Sequence, residues 1–396
     1  MTAMGMIILE VVAGLVALAW SLLAIRLIGL SRGASFRFFR AIDPPGGLVW
    51  PSVTAIVPAR NEAANVAATV EALRAQEYPD LKIIVIDDQS TDATAPIVEA
   101  LESEIRGLRL IRGVERPEGW VGKTWAVHQG AIEAAGEWLW FVDADMGLDR
   151  RALVSAVSAG EDSGADLVSL LPGVRCETFW QATIAASFLQ LLGQLYPLDR
   201  VNDPARPEAI AAGGFLLVRR SAYRNAGGHA AVAHAIIEDI ELARRVKATG
   251  GKLLVRLAPD LTWTHMYGRF GEIWRGLRKN AYAGMEYQPH KYVTGAIIAL
   301  ILAWAPWVAA GLGLVEGRSP TIALGIWGIL AQAVATVPIL VFLRLPYWYG
   351  LTLPAGISAY VAIATSSVWH HHRGRILWKD RAISAKVAES SSRTER

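Results

Sequence analysis

Apolar residues fall into two regimes along the 396-residue chain. Toward the C-terminal end three long stretches lack Lys, Arg, Asp and Glu: 24 residues between Lys291 and Glu316, 25 between Arg318 and Arg344, and 25 from Leu345 to Trp369. A helix of about 20 predominantly apolar residues crosses the hydrocarbon core of a bilayer, so each stretch predicts a spanning helix. A fourth run, Met6 to Leu30, is interrupted only by Glu10 and Arg26. It lacks the basic start and small-residue cleavage site of a signal peptide, and reads as an uncleaved anchor whose Arg26 reaches back to the interface.

The middle of the chain has a different rhythm. From Trp50 to about Lys252 short β-rich runs alternate with helical patterns. Ser52 to Ala59 predicts a strand, and Ala63 to Gln76 an Ala-rich helix. Leu81 to Asp88 is a continuous apolar run of the kind buried on both faces of a parallel sheet. The run STDATAPIVEAL carries cap residues before a helix, LRLIRG is a third strand, GKTWAVHQGAIEAA a helix, and EWLWFVDAD a fourth strand. This alternation predicts an α/β domain with helices on both faces of a sheet. Ligands of such sheets sit beyond the carboxyl ends of the strands. Three predicted strands end there in polar clusters: 58–62, Asp87-Asp88, and Asp143-Ala144-Asp145.

Composition narrows the class. The chain is 53% hydrophobic and 19% charged, below the roughly 25% charged residues of soluble domains. A net charge of +3 is too even for an extended nucleic-acid surface, so no nucleic-acid partner is expected. The single cysteine, Cys176, excludes a disulfide framework and a cysteine-based zinc site. Arg26, Arg32, Arg37 and Arg40 follow one another with no acid before Asp43, and the tail from His370 has seven Lys/Arg against three Asp/Glu. The positive-inside rule places both flanks in the cytoplasm. Four spans, however, put them on opposite sides, so either one run fails to span or the tail breaks the rule. The middle run, with Pro320 and Pro338, and the last, with Pro346 and Pro354, are the candidates. His370-His371-His372 reads as an interfacial polar cluster beside Arg373 and Arg375 rather than as a metal site.

The strand-end residues carry candidate chemistry. Asp143 and Asp145 present two carboxylates from one turn, as Mg²⁺ or Mn²⁺ requires when phosphate oxygens complete its shell. Asp87-Asp88 serves ligand binding, helix capping, or both. Lys123 stands beside glycines at a helix start, which suits an anion, although Gly119 and Gly122 lack the spacing of a P-loop. Its alternative is an exposed surface lysine. Glu238-Asp239 opens an amphipathic helix; acids there answer the helix dipole, and a carboxylate that deprotonates a hydroxyl looks the same. Phe179 to Tyr196 and Trp263 to Tyr292 are aromatic-rich amphipathic segments suited to the lipid–water boundary.

Taken together, V-P-A-R-N-E, I-D-D-Q-S-T-D, G-K-T-W-A-V-H-Q-G, V-D-A-D, A-G-G-F-L-L-V-R-R and I-I-E-D resemble glycosyltransferase family 2, over residues 52–250. LYPLDRVNDP, GGHAAV and MYGRF…GLRKN extend the likeness to a membrane-bound subgroup of hopene-associated and diaponeurosporenoate glycosyltransferases. More distantly the chain resembles ceramide glucosyltransferases. The resemblance implies a GT-A domain, a Rossmann-like mixed sheet that binds a nucleotide sugar, with one N-terminal and two to three C-terminal transmembrane helices. It implies that Pro58, Arg60, Glu62, Asp87 and Asp88 hold base and ribose, that Lys123 and Asp143 support the nucleotide end, and that Asp143 and Asp145 bind a divalent cation, Mg²⁺ or Mn²⁺. Asp239 is then the catalytic base with Glu238 beside it, and Gly213 and Gly214 admit close approach near the acceptor. Processive members carry Q-x-x-R-W after the base. Here the stretch is Arg275-Gly276-Leu277-Arg278-Lys279-Asn280, without that Gln or Trp. Arg275, Arg278 and Lys279 remain candidates for the leaving diphosphate or for anionic lipid headgroups.

The expected organisation is a membrane anchor and basic segment (1–49), the GT-A domain (50–260), an interfacial segment (261–292), transmembrane helices (293–369) and a basic tail (370–396) with a disordered end. The expected function is transfer of a sugar, from a UDP-linked donor, to a lipid in the bilayer, hopanoid or another isoprenoid. The catalytic domain then faces the cytoplasm of a bacterial-type inner membrane. The rivals are a ceramide or glycerolipid glucosyltransferase, a processive polysaccharide synthase, and an inactive membrane scaffold.

Overall fold

The computed structural model describes residues 2–30, 37–43, 49–266 and 268–373, with two short strands at 377–378 and 381–382. Arg32 and nearly all of the basic tail lie outside the described residues. The helices are α1 (Ala3–Leu30), α2 (Val66–Arg74), α3 (Thr94–Glu104), α4 (Gly122–Glu133), α5 (Ala152–Ser163), α6 (Phe179–Leu195), α7 (Leu198–Val201), α8 (Arg220–Asn225), α9 (Glu238–Ala248), α10 (Phe270–Ala281), α11 (Pro289–Glu316), α12 (Ser319–Leu343) and α13 (Leu353–His372). The strands are β1 (Val53–Ala59), β2 (Leu81–Asp87), β3 (Leu108–Arg112), β4 (Trp138–Phe141), β5 (Gly147–Leu148), β6 (Leu167–Leu171), β7 (Gly173–Arg175), β8 (Leu216–Arg219), β9 (Leu253–Leu257) and β10 (Thr262–His265); β11 (Leu377–Trp378) pairs with β12 (Arg381–Ala382). Two compact units result. One holds Met1–Arg37, Cys176–Leu195 and Met266–Trp369; the other holds Phe38–Arg175 and Tyr196–His265.

The second unit is built on a seven-stranded sheet in the order β3-β2-β1-β4-β8-β6-β9. The first four strands are parallel, as the continuous apolar run of β2 predicts. The mixed character comes from β8, which runs antiparallel to both β4 and β6. Val53 to Val57 and Ile83 to Ile86 are buried, and Trp138 and Trp140 are fully enclosed. Because β2, β1 and β4 are adjacent and parallel, their three polar ends emerge side by side. The first predicted helix starts later than the Ala-rich pattern implies, at Val66 rather than Ala63. The Ala63 N–H donates to the Asp92 carboxylate and the Asn65 N–H to the Glu62 carbonyl, so this stretch is a turn held to the end of β2. A smaller sheet, β5-β10-β7, completes the unit.

The first unit is helical. Residues 3–30, 289–316, 319–343 and 347–372 are each long and apolar enough to cross a membrane, making four candidate spans among the described residues, three of them toward the C-terminus. Large apolar side chains such as Ile7, Leu15, Leu22, Ile297 and Leu330 face outward, as lipid contact requires. Several polar residues inside have partners. Glu10 accepts from Thr321 and lies 3.3 Å from Arg318. Pro306 within α11 has no N–H to give the Leu302 carbonyl four residues earlier. Trp20 from α1 donates to that carbonyl at 2.9 Å, and Gln332 from α12 at 3.3 Å. The helix-breaking residue thus becomes a junction of three helices. Close packing fits the small-residue pattern of membrane helices: a Cβ on Gly325 would lie 2.4 Å from the Ala310 nitrogen. Residues 176–195, which the sequence pattern placed within the 50–260 domain, cluster with this helical unit.

Candidate active site

The exit of β1 turns sharply at Asn61, whose φ is 52°. Its N–H donates to Ser90 Oγ at 3.0 Å, and its side-chain oxygen accepts from the Thr91 N–H at 2.8 Å. Arg60 Nη1 donates to the carbonyls of Asp88 and Gln89 at 2.5 and 3.0 Å, and the Asp88 N–H donates to the Ala59 carbonyl at 2.8 Å. The ends of β1 and β2 are therefore sewn into one surface. Arg60, Asp87 and Asp88 are buried, and the Glu62 N–H donates to Thr94 Oγ1 at 2.8 Å.

The Asp143-Ala144-Asp145 turn is anchored from α2, where Thr69 Oγ1 donates to the Ala144 carbonyl at 2.7 Å. Lys123, in the first turn of α4, projects between carboxylates remote in sequence. Its Nζ lies 2.7 Å from Asp143 Oδ1 and 2.7 Å from Glu238 Oε1. Burial disfavours the ammonium, but Asp143, Glu238 and Asp239 outweigh it and hold the lysine well above its ordinary pKa. Asp239 Oδ2 accepts from the Gly213 N–H at 2.7 Å, and its Oδ1 accepts from the Ile240 N–H at 2.8 Å. Gly213 is required by space: a Cβ there would lie 2.9 Å from Lys123 Nζ and 3.3 Å from Asp239 Oδ2. Gly214 abuts Met146 in the same way.

A small cavity opens over this cluster. Pro58, Lys123, Asp143, Gly213, Glu238 and Asp239 line it, together with Phe141 and His229. Asp239 carries a carboxyl shifted toward neutrality. Burial first, then the Glu238 charge, push its carboxyl up from 3.8 to about 7, against the pull of Lys123. A carboxylate tuned near neutrality matches proton transfer at physiological pH. Asp145 is likewise raised to about 6, by burial and then by the Asp143 and Glu62 charges.

Among the described residues no group of three or more His, Cys, Asp or Glu side chains converges as a ready metal cage. The chemistry of the donor set nevertheless fits Mg²⁺ or Mn²⁺. Asp145, raised in pKa by burial and then by the Asp143 and Glu62 carboxylates, stands in a concentration of negative charge that a divalent cation relieves, and phosphate oxygens complete such shells. The sign of the linkage can be tested. An acid with a raised folded-state pKa favours folding fully below its unfolded value, and that contribution is lost as pH rises through the folded value. For Asp145 and Asp239 the window runs from about 4 to about 7. Mn²⁺ should therefore raise the unfolding temperature more at pH 7.5 than at pH 5, and Asp145→Asn should erase most of that difference. Equal Mn²⁺ shifts at both pH values would remove Asp145 from the cation site.

The structure brings together Pro58, Lys123, Asp143, Gly213, Glu238 and Asp239, and keeps Arg60, Asp87 and Asp88 on the adjoining strand-end surface. Arg275, Arg278 and Lys279 lie on α10, in the helical unit, and not in the unit that carries the carboxylates. Sequence reasoning missed Thr69, Tyr223 and His229. Only His229 left a signal, in the Gly-Gly-His turn at 227–229.

Residues 54–227 match the family model described as Glycosyl transferase family 2. The 4,4'-diaponeurosporenoate glycosyltransferase of Staphylococcus aureus (strain bovine RF122 / ET3-1) is 28% identical over 196 residues, 48% of this chain and 50% of that protein. The match thus spans about half the length of the curated relative. A mannosyltransferase from Pyrobaculum calidifontis, solved with GDP-Man and Mn²⁺, superposes with a TM-score of 0.53 at 20% identity, covering 91% of this chain and 99% of that one. That likeness establishes the shared GT-A fold.

Proposed function

With residues 54–227 forming a glycosyltransferase family 2 domain, we propose that the protein is a membrane-bound, inverting glycosyltransferase that moves one sugar from a nucleotide sugar to a lipid. The observation that carries the reading is the Lys123 cluster: an ammonium paired with the Asp143 and Glu238 carboxylates, with the raised carboxyl of Asp239 beside them.

In this reading Pro58, Arg60, Glu62, Asp87 and Asp88 bind the nucleoside, UDP being the expected form. Lys123 and Asp143 face the diphosphate. Asp239 takes the proton of an acceptor hydroxyl while the oxygen attacks the anomeric carbon opposite the diphosphate. The new C–O bond forms as the bond to the diphosphate breaks, and the diphosphate leaves with the electron pair. An acceptor carboxylate needs no proton removed. Glu238 holds Lys123 in place, and Gly213 fixes Asp239 through its N–H. Asp143 and Asp145 would hold the divalent cation, which supplies charge stabilisation to the leaving diphosphate when bound. Arg275, Arg278 and Lys279 serve an anionic group, either the diphosphate or a lipid headgroup.

The four apolar helices support a bilayer acceptor, and the diaponeurosporenoate named for the S. aureus relative supports an isoprenoid one, carotenoid or hopanoid. The basic residues at 26–40 support a cytoplasmic catalytic domain in a bacterial inner membrane. Lipid extracts of a producing strain with and without the gene, compared by mass spectrometry, test the assignment: a lipid heavier by one hexose should depend on the gene. A related outcome concerns the tail. In a Cys176→Ser background, Ser391→Cys should stay unlabelled when an impermeant maleimide is added outside intact cells. Labelling would mean that all four apolar helices span and that the tail breaks the charge rule.

A further inference from the structure

His229 lines the cavity yet has no part in the acid–base scheme above. It follows the glycine pair 227–228 and is 2% exposed. Its backbone N–H donates to the Tyr223 hydroxyl at 3.0 Å, and its Nδ1 lies 2.9 Å from the same hydroxyl. That hydroxyl, itself half of a buried pair, satisfies its own proton by donating to Nδ1. Nδ1 is then the acceptor, and the ring proton belongs on Nε2. The opposite tautomer would leave the tyrosine proton without an acceptor in this pair. Burial, followed by the charges of Lys123 and His128, lowers the histidine pKa to about 3, so the ring is neutral. Its plane packs edge-on against Phe141, which lines the same cavity, with centroids 4.9 Å apart. The hydrogen bonds described for the ring engage Nδ1 alone.

We propose that His229 is a donor-binding, specificity-determining residue whose Nε2–H hydrogen-bonds an oxygen of the transferred sugar. The inference rests on the glycosyltransferase reading above. A neutral N–H suits a neutral hydroxyl oxygen, whereas an anionic phosphate oxygen calls for the charge that Lys123 already supplies. The same cavity wall carries Glu238 and Asp239, acceptors for the hydroxyl protons of a sugar. Tyr223 is a positioning residue, which acts by fixing the tautomer.

The test uses the purified full-length protein with Mn²⁺ and a panel of UDP- and GDP-sugars alongside UDP and GDP. His229→Phe keeps a ring of similar size and removes the donor; His229→Gln keeps an N–H. With the nucleotide sugar that the wild type binds, His229→Phe should bind about three- to tenfold more weakly, the range for loss of one neutral hydrogen bond. Binding of the bare nucleoside diphosphate should stay within about twofold, and His229→Gln should recover part of the loss. If His229→Phe does not fold, His229→Gln must change the ranking among sugars while leaving the bare diphosphate unaffected. Equal weakening of sugar-bearing and bare nucleotides, or no weakening of either, overturns the proposal. A wild type that binds no member of the panel refutes the transferase reading first, and this inference with it.

Discussion

Replacing Asp239 by asparagine is expected to lower sugar transfer to a hydroxyl acceptor by about 10²- to 10⁴-fold, the span of general-base contributions. Binding of the nucleotide sugar should change little. An amide preserves the shape and still offers an oxygen to the Gly213 N–H, which now donates to Asp239 Oδ2 at 2.7 Å. It cannot take up a proton. The substitution also removes a carboxylate whose pKa is already raised to about 7 by desolvation and by Glu238, so the fold should not suffer. Donor titration and single-turnover transfer, measured on the same preparation, separate the two effects. Lost donor binding with a normal rate at saturation would make Asp239 a helix-start residue held by the dipole, with no part in proton transfer.

Lys123→Met should have the largest effect on stability. The ammonium lies 2.7 Å from both Asp143 and Glu238, and Asp239 adds its field. Removing one partner of a fully buried ionic cluster costs about 3–5 kcal/mol, because the remaining charges lose their compensation; with Lys123 and Asp143 24% and 32% exposed, the loss here should fall below that range. The variant should melt well below the wild type at pH 8. It should recover part of that loss at pH 5, below the raised pKa of Asp239, about 7, where this carboxyl no longer adds its charge to the cluster. Donor binding should fall at pH 8 as well, since the diphosphate then approaches uncompensated carboxylates. Thermal unfolding across pH checks this. A melting temperature unchanged at pH 8 would show that Asp143 and Glu238 do not depend on the lysine.

Much of this arrangement is legible in the sequence because its determinants are local. Ile83 to Ile86 is an unbroken apolar run that stops at Asp87-Asp88, and the β-rich run from Ser52 to Ala59 leads into Arg60-Asn61-Glu62, so both the strands and the edge where they open could be read directly. Other parts depend on contacts distant along the chain. β8 has four residues, and nothing in Leu216 to Arg219 tells that it inserts antiparallel between β4 and β6. Lys123 reads equally as an exposed lysine until the fold sets it between Asp143 and Glu238. Glu238 reads as a helix-start acid until its partner is seen. Thr69 lies in an ordinary Ala-rich helix, and only the packing of α2 shows that it holds the Ala144 carbonyl. Pro306 alone predicts a weakened helix. The repair comes from Trp20 and Gln332, on two helices that no local pattern joins to it.

The most direct test is reconstitution of the full-length protein into liposomes containing a hopanoid or carotenoid acceptor, with radiolabelled nucleotide sugar and Mn²⁺ supplied outside. Label should pass into the organic-extractable lipid as a single-sugar adduct, vanish with excess chelator, and be lost with Asp239→Asn when the acceptor is a hydroxyl. Conversion of diacylglycerol or ceramide in place of the isoprenoid would reassign the acceptor and leave the transferase standing. Label that stays wholly in the water phase, on a soluble acceptor or as free sugar, would contradict the central claim.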